Sequence, residues 1–266
     1  MIEQQLIDAL TKSAAQWCGE HDCATTCDDI SLIPPPHYFD FDYVCALSMK
    51  LSARSKADPL LTAEALASLT ASNMPANFAD VKVTAPGFIN FTLTTGTYVN
   101  ALRSVITLVK SWDAKRSGLH PSAPPCSDVE RRLRLILSAA AEPLFDVENR
   151  TELEPLITPD WQHSQNLGEA DSASWQLLFD NATGAGELKT TIKALCAAAF
   201  AMQENRQDTP ARAYVLRYSV EELLNASSIV SPTRGITLAR LSLFSAVATV
   251  LAVAHTKTFS NEGVYL

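Results

Sequence analysis

The densest run of reactive side chains lies between Trp17 and Cys27, where Cys18, His21, Cys23 and Cys27 place three thiols and an imidazole within ten residues. Zinc accepts a Cys₃His set. The spacing is not that of a standard knuckle, and no second Cys-x-x-Cys pair follows, so free thiols in a loop are the competing assignment. Acidic neighbours at Glu20 and Asp22 raise thiol pKa and slow redox chemistry there. Arg131-Arg132-x-Arg134 is a compact basic cluster. On a helix Arg131 and Arg134 share a face, suited either to holding phosphates or to solvating a helix start. Positive charge at a helix N-terminus opposes the macrodipole, which tilts the cluster towards a partner. Arg212, Arg217 and Arg240 are spaced along the C-terminal helices. They are the cations expected to meet RNA if RNA binds, and salt bridges to Glu221 and Glu222 are the alternative. Gly184-Ala185-Gly186 lacks the preceding strand and third glycine of a dinucleotide loop. The remaining histidines are scattered, with neither Gly-x-Ser-x-Gly nor His-Glu-x-x-His beside them. No catalytic constellation is expected, and no cofactor, zinc at the cysteine cluster being the one candidate.

These residues need a frame to position them. Ile2 to Trp17 carries apolar residues at i, i+4 spacing and reads as a helix. Cys18 to Tyr38, with Pro34-Pro35-Pro36, reads as a loop with a polyproline II piece. Tyr43 to Lys56 reads as a helix broken by Asp58-Pro59. Thr62 to Leu69 reads as another, with Thr62 as its cap. Val81 to Val83 and Phe88 to Leu93 alternate around Ala85-Pro86-Gly87, giving strand, turn and strand. In the second strand Ile89 and Phe91 share one face and Phe88 and Asn90 the other. Thr97 to Arg116 is a further helix. Ser117 to Ser127 is a Pro-rich linker. A helix opens at Asp128, and Glu142 to Gly186 is poorly periodic. Helices over Leu188 to Glu204, Pro210 to Ser228 and Thr237 to His255 close the chain, the last two separated by a break at Ser231 to Gly235. The expected fold class is α+β and mainly helical. Its parts are an α+β domain with a short antiparallel sheet over 1–116, a linker over 117–127 and a helical bundle over 128–266.

Composition sets outer limits. The chain has 266 residues, 47% hydrophobic and 19% charged, which is globular composition. No apolar run is long enough to span a bilayer, and the N-terminus lacks the pattern of a secretory signal. A soluble cytoplasmic protein without a membrane partner is expected. The net charge of -8 argues against a general nucleic-acid binder. The charge is uneven, however: from Leu188 to Leu266 eight basic residues face five acids.

Two motif sets bear a family resemblance. Asp42-Tyr43-Val44-Cys45-Ala46-Leu47, Pro59 with Ala63-Glu64-Ala65-Leu66, and Ala85-Pro86-Gly87-Phe88-Ile89-Asn90-Phe91 resemble the N-terminal domain of arginyl-tRNA synthetases. Glu130-Arg131-Arg132-Leu133, Pro210-Ala211-Arg212 and Leu238-Ala239-Arg240-Leu241 resemble the DALR-type anticodon-binding domain of the same enzymes. In those enzymes a Rossmann catalytic domain lies between the two modules, with His-Ile-Gly-His and Lys-Met-Ser-Lys signatures. Neither signature occurs here, and about 25 residues between Leu102 and Asp128 leave no room for such a domain.

The resemblance therefore implies a non-enzyme that keeps two RNA-facing domains, with tRNA as partner. Under it the RNA-facing residues are Arg131, Arg134, Arg212, Arg217, Asn225 and Arg240, with Asn90 in the first domain. Where the family has an Ala-Phe-Asn-x-Phe-Tyr pattern, this chain keeps Asn225 but has Ser227 and Ser228 in place of the aromatics. Loop bases stack on such rings, at about 1–3 kcal/mol each. The alternative is a protein–protein adaptor that kept the folds and lost the RNA.

Overall fold

The computed structural model describes residues 2–21, 23, 30–33, 41–115, 133, 178–179, 184–226 and 234–261. The chain divides into two compact units, 1–98 and 99–266. It is mainly helical, with one small antiparallel sheet in the first unit.

The first unit opens with α1 (Ile2–Glu20), whose buried stripe is Ile2, Leu6, Leu10, Ala14 and Trp17. The sheet follows in the order β1-β2-β4-β3, from β1 (Leu32–Ile33), β2 (Tyr43–Cys45), β3 (Ala79–Thr84) and β4 (Phe88–Leu93). Between β2 and β3 run α2 (Leu47–Ser55) and α3 (Pro59–Asn73). Both helices pack on the sheet and on each other, and α1 packs on α3, an α+β layering. Asn73 Nδ2 donates to Ser13 Oγ at 3.0 Å across the α1–α3 contact.

Register explains the core. Tyr43 lies opposite Phe91, and Cys45 opposite Ile89. On the other side of β4, Val81 lies opposite Phe91, and Val83 opposite Ile89. Side chains alternate along each strand, so Tyr43, Cys45, Ile89 and Phe91 fall on one face, and all four are buried.

Three local readings are corrected. Tyr43 to Cys45 is a strand, not the start of a helix. An aromatic, a β-branched residue and a buried thiol pair better with β4 than they continue α2, which begins at Leu47. The loop expected from Cys18 to Tyr38 contains β1 at Leu32–Ile33, and α1 runs on to Glu20. Residues 34–40, with the three prolines, lie outside the described residues. Asp58, not Thr62, caps α3. Its Oδ1 accepts from Leu60 N at 2.9 Å and Leu61 N at 3.0 Å, with Pro59 in the first helical position, where a missing N–H costs nothing. The break expected at Asp58-Pro59 is present, since α2 ends at Ser55, and the same dipeptide also starts α3.

The Ala-Pro-Gly turn is a packing device. Gly87 N donates to Thr84 O at 3.0 Å, closing the hairpin. Gly87 O accepts from the buried Ser48 hydroxyl on α2. Gly87 has φ +153, and a Cβ there would sit 2.9 Å from Pro59 O. Gly87→Ala is therefore expected to lower the unfolding free energy by about 1–3 kcal/mol, read as a lower urea midpoint at unchanged slope.

A helix, α4 (Thr95–Lys115), begins in the first unit and continues into the second. Thr94 caps it, its Oγ1 accepting from Thr97 N at 3.2 Å. The second unit also holds α5 (Ala185–Gln203), α6 (Thr209–Ala226) and α7 (Arg234–Asn261). Of the break expected at 231–235, Arg234 and Gly235 belong to α7, and 231–233 lie outside the described residues. Thr191 Oγ1, early in α5, donates to Ser219 O, late in α6, at 3.0 Å. The two helices are thus antiparallel neighbours, and α7 packs on both. Alanines dominate the α5 contact, with Ala194, Ala198, Ala199 and Ala201 buried. The linker at 117–127 and most of the helix expected from Asp128 lie outside the described residues. Leu133 is described there, helical and buried.

Candidate nucleic-acid interface

Helix α6 collects more of the expected RNA-facing residues than any other described element. Its start is set by a tight turn after α5. Asn205, at φ 52, closes α5 through Asn205 N to Met202 O at 3.3 Å and Arg206 N to Ala201 O at 2.8 Å. Ala213, Leu216, Val220 and Leu223 form the buried stripe of α6. The opposite stripe carries Tyr214, Tyr218 and Asn225, which lie close together at about 100° of rotation per residue. Tyr214 is 69% exposed and Tyr218 61% exposed. Asn225 is exposed in the last turn, and Glu221 and Glu222 are exposed on the same side.

The arginines divide. Arg217 is half-buried and flanks the tyrosine stripe. Arg212 points elsewhere, its Nε 2.7 Å from Asp208 Oδ2. Arg206 grips the same carboxylate through Nε at 3.0 Å and Nη2 at 3.1 Å. The Arg212 hydrogen bond, with the charges of both guanidiniums, holds Asp208 below the usual carboxylate range. A depressed pKa means the ion pair stabilises the fold above the unfolded value near 3.8 and loses that contribution as pH falls through the folded value. Arg212→Ala should thus cost at most about 1 kcal/mol at neutral pH, the range of an exposed pair. That difference should vanish in urea melts at strongly acid pH. Arg240 is half-buried on α7, and burial lowers its pKa from the ordinary guanidinium value. Arg131 and Arg134, with Ser227 and Ser228, lie outside the described residues.

In the first unit Asn90 is buried at the middle of β4. Its Nδ2 donates to Thr84 Oγ1 at 3.0 Å and Lys82 O at 3.3 Å, bonds that hold the β3–β4 hairpin. At the end of α1, His21 stacks on Trp17 with ring centroids 4.0 Å apart. Its Nδ1 is 2.9 Å from Trp17 O, an arrangement in which that nitrogen donates. Cys18 is buried and Cys23 half-buried, their Sγ atoms 3.0 Å apart. Cys27 lies outside the described residues. Among the described residues no group of three His, Cys, Asp or Glu side chains is placed to hold a metal. No helix among them is long and apolar enough to cross a membrane.

Tyr214 and Tyr218 were not among the residues singled out by sequence. The signal was present: an i, i+4 aromatic pair out of phase with the apolar stripe of its own helix. A pair of exposed phenol rings offers two apolar faces to a planar ligand, with hydroxyls and Asn225 for polar contacts.

Residues 1–93 match the family model described as the arginyl tRNA synthetase N terminal domain. This stretch spans the sheet, its three helices and the Asp42 and Ala-Pro-Gly motifs, and it forms a domain related to that of the synthetases. Comparison with curated proteins and with solved structures gives no match.

Proposed function

We propose that this chain is a non-catalytic tRNA-binding protein assembled from the appended domains of an arginyl-tRNA synthetase, acting in the cytoplasm. The observation that carries the reading is the synthetase N-terminal domain at residues 1–93. It is followed by a helical unit in which α6 exposes two tyrosines beside Arg217 and Asn225. Residues 128–266 are taken as the DALR-type anticodon-binding module. Binding would proceed by shape and phosphate recognition, with unstacked bases laid on Tyr214 and Tyr218. No bond is made or broken. Arg217 and Arg240 are the cations assigned to phosphates. Arg212 joins them only if Asp208 releases it, and Arg131 and Arg134 stand as further candidates.

One observation favours the adaptor reading. Glu221 and Glu222 lie along the tyrosine stripe, and the whole chain carries -8. Aromatic residues rimmed by charge also suit a protein interface. Binding to tRNA as a function of salt separates the two, because phosphate contacts release counterions and an apolar interface does not.

A further inference from the structure

Helix α1 ends in a backbone closure that brings two thiols together. Cys18 O accepts from His21 N at 3.2 Å and from Cys23 N at 3.2 Å. The second bond is the six-to-one bond of a Schellman-type end, the same bond that Arg206 N makes to Ala201 O after α5. Such an end sets the side chain three positions before the cap against the one two positions after it, usually as an apolar contact. Here those two positions are Cys18 and Cys23, with sulfurs 3.0 Å apart. Cys18 is 5% exposed, while Cys23 is half-buried and reachable.

We propose that Cys18 and Cys23 form a thiol–disulfide exchange site whose oxidising substrate is a low-molecular-weight disulfide such as glutathione disulfide. The Cys23 thiolate attacks one sulfur of the glutathione disulfide. That S–S bond breaks, and one glutathione leaves as thiolate. The Cys18 thiolate then attacks the Cys23 sulfur of the mixed disulfide and expels the second glutathione. The two cysteine protons end on the two glutathione thiols. The pair loses two electrons, and the glutathione disulfide gains them.

The geometry favours the second step. The sulfurs need to close by about 1 Å to reach a bond of about 2.05 Å, and the bond from Cys23 N to Cys18 O already ties the two backbones together. Cys45 differs: it is buried in the sheet, and burial pushes its thiol pKa up.

The test uses the full reduced chain with chelator in glutathione buffers of graded redox ratio, quenched by alkylation. A Glu-specific protease cuts after Glu20, between the two cysteines. The expected product has lost two hydrogen masses and keeps the peptides on either side of Glu20 joined through Cys18 and Cys23. Cys18→Ser should instead accumulate a stable glutathione adduct on Cys23. Cys23→Ser should form the corresponding Cys18 adduct at least about tenfold more slowly, as expected of a buried thiol. A Cys23–Cys27 link in the wild-type chain would overturn the proposal. So would a folded chain that oxidises no more readily at Cys18 and Cys23 than the same chain in denaturant.

Discussion

Replacing Asp42 by Ala should cost about 2–5 kcal/mol of folding stability, the largest loss expected from a single polar side chain in the first unit. Asp42 is buried at the entrance to β2. Its Oδ2 accepts from Leu93 N at 2.8 Å, at the end of β4. Its Oδ1 accepts from the hydroxyl of Tyr98, a fully buried residue in the first turns of α4. Its own N–H donates to Phe91 O at 2.8 Å. One carboxylate thus ties β2, β4 and α4 together. Removing it strands a backbone donor and a phenol donor in the core, at about 1–3 kcal/mol for each unsatisfied group. Asp42→Asn keeps an acceptor for Leu93 N and should cost less than half as much. Urea melts of the two variants measure both numbers. A loss below about 1 kcal/mol for Asp42→Ala would mean that the network does not hold the sheet to α4.

The second large effect is on binding. Tyr214→Ala and Tyr218→Ala together should weaken tRNA binding by about 30-fold or more, from about 1–3 kcal/mol per stacked base. Their exposure means that stability should stay within about 0.5 kcal/mol of wild type, so the binding loss is not a folding loss. Tyr214→Phe and Tyr218→Phe keep the rings and should retain most of the affinity. Filter binding or fluorescence anisotropy with total tRNA reads the difference. Wild-type affinity in the double Ala variant would remove α6 from the interface.

Local pattern made the β3–β4 hairpin and the closing helices legible, because period two and period 3.6 extend there over enough residues to be distinct. Where an element is short, pattern fails. Tyr43 to Cys45 and Leu32–Ile33 have no readable period, and only the register against β4 and β2 makes them strands. Asp58-Pro59 has two meanings, a stop and a start, and both hold: α2 ends at Ser55 and α3 begins at Pro59. The start is the one that sequence pattern missed, and the Asp58 side chain bonded to Leu60 N and Leu61 N makes it.

The site was less legible for a related reason. Arg212 was singled out as a cation, but the turn at 204–208 gives it a carboxylate partner. Asn90 was singled out by its motif, yet its amide is spent inside the hairpin. Motif position records which residues a fold repeats, including those that only hold it together, as Gly87 does against Pro59. The tyrosines of α6 stand outside the family pattern, whose aromatic positions are occupied here by Ser227 and Ser228. Exposure, a property of the packed bundle, marks them.

The central claim is that this chain binds tRNA without acting on it. The most direct measurement is the affinity of the purified chain for total tRNA, with a scrambled RNA control, titrated from about 50 to 200 mM salt. Submicromolar, tRNA-selective binding that falls steeply across that range is the expected result. Absence of binding at the lowest salt, or binding equal for tRNA and scrambled RNA, would contradict it.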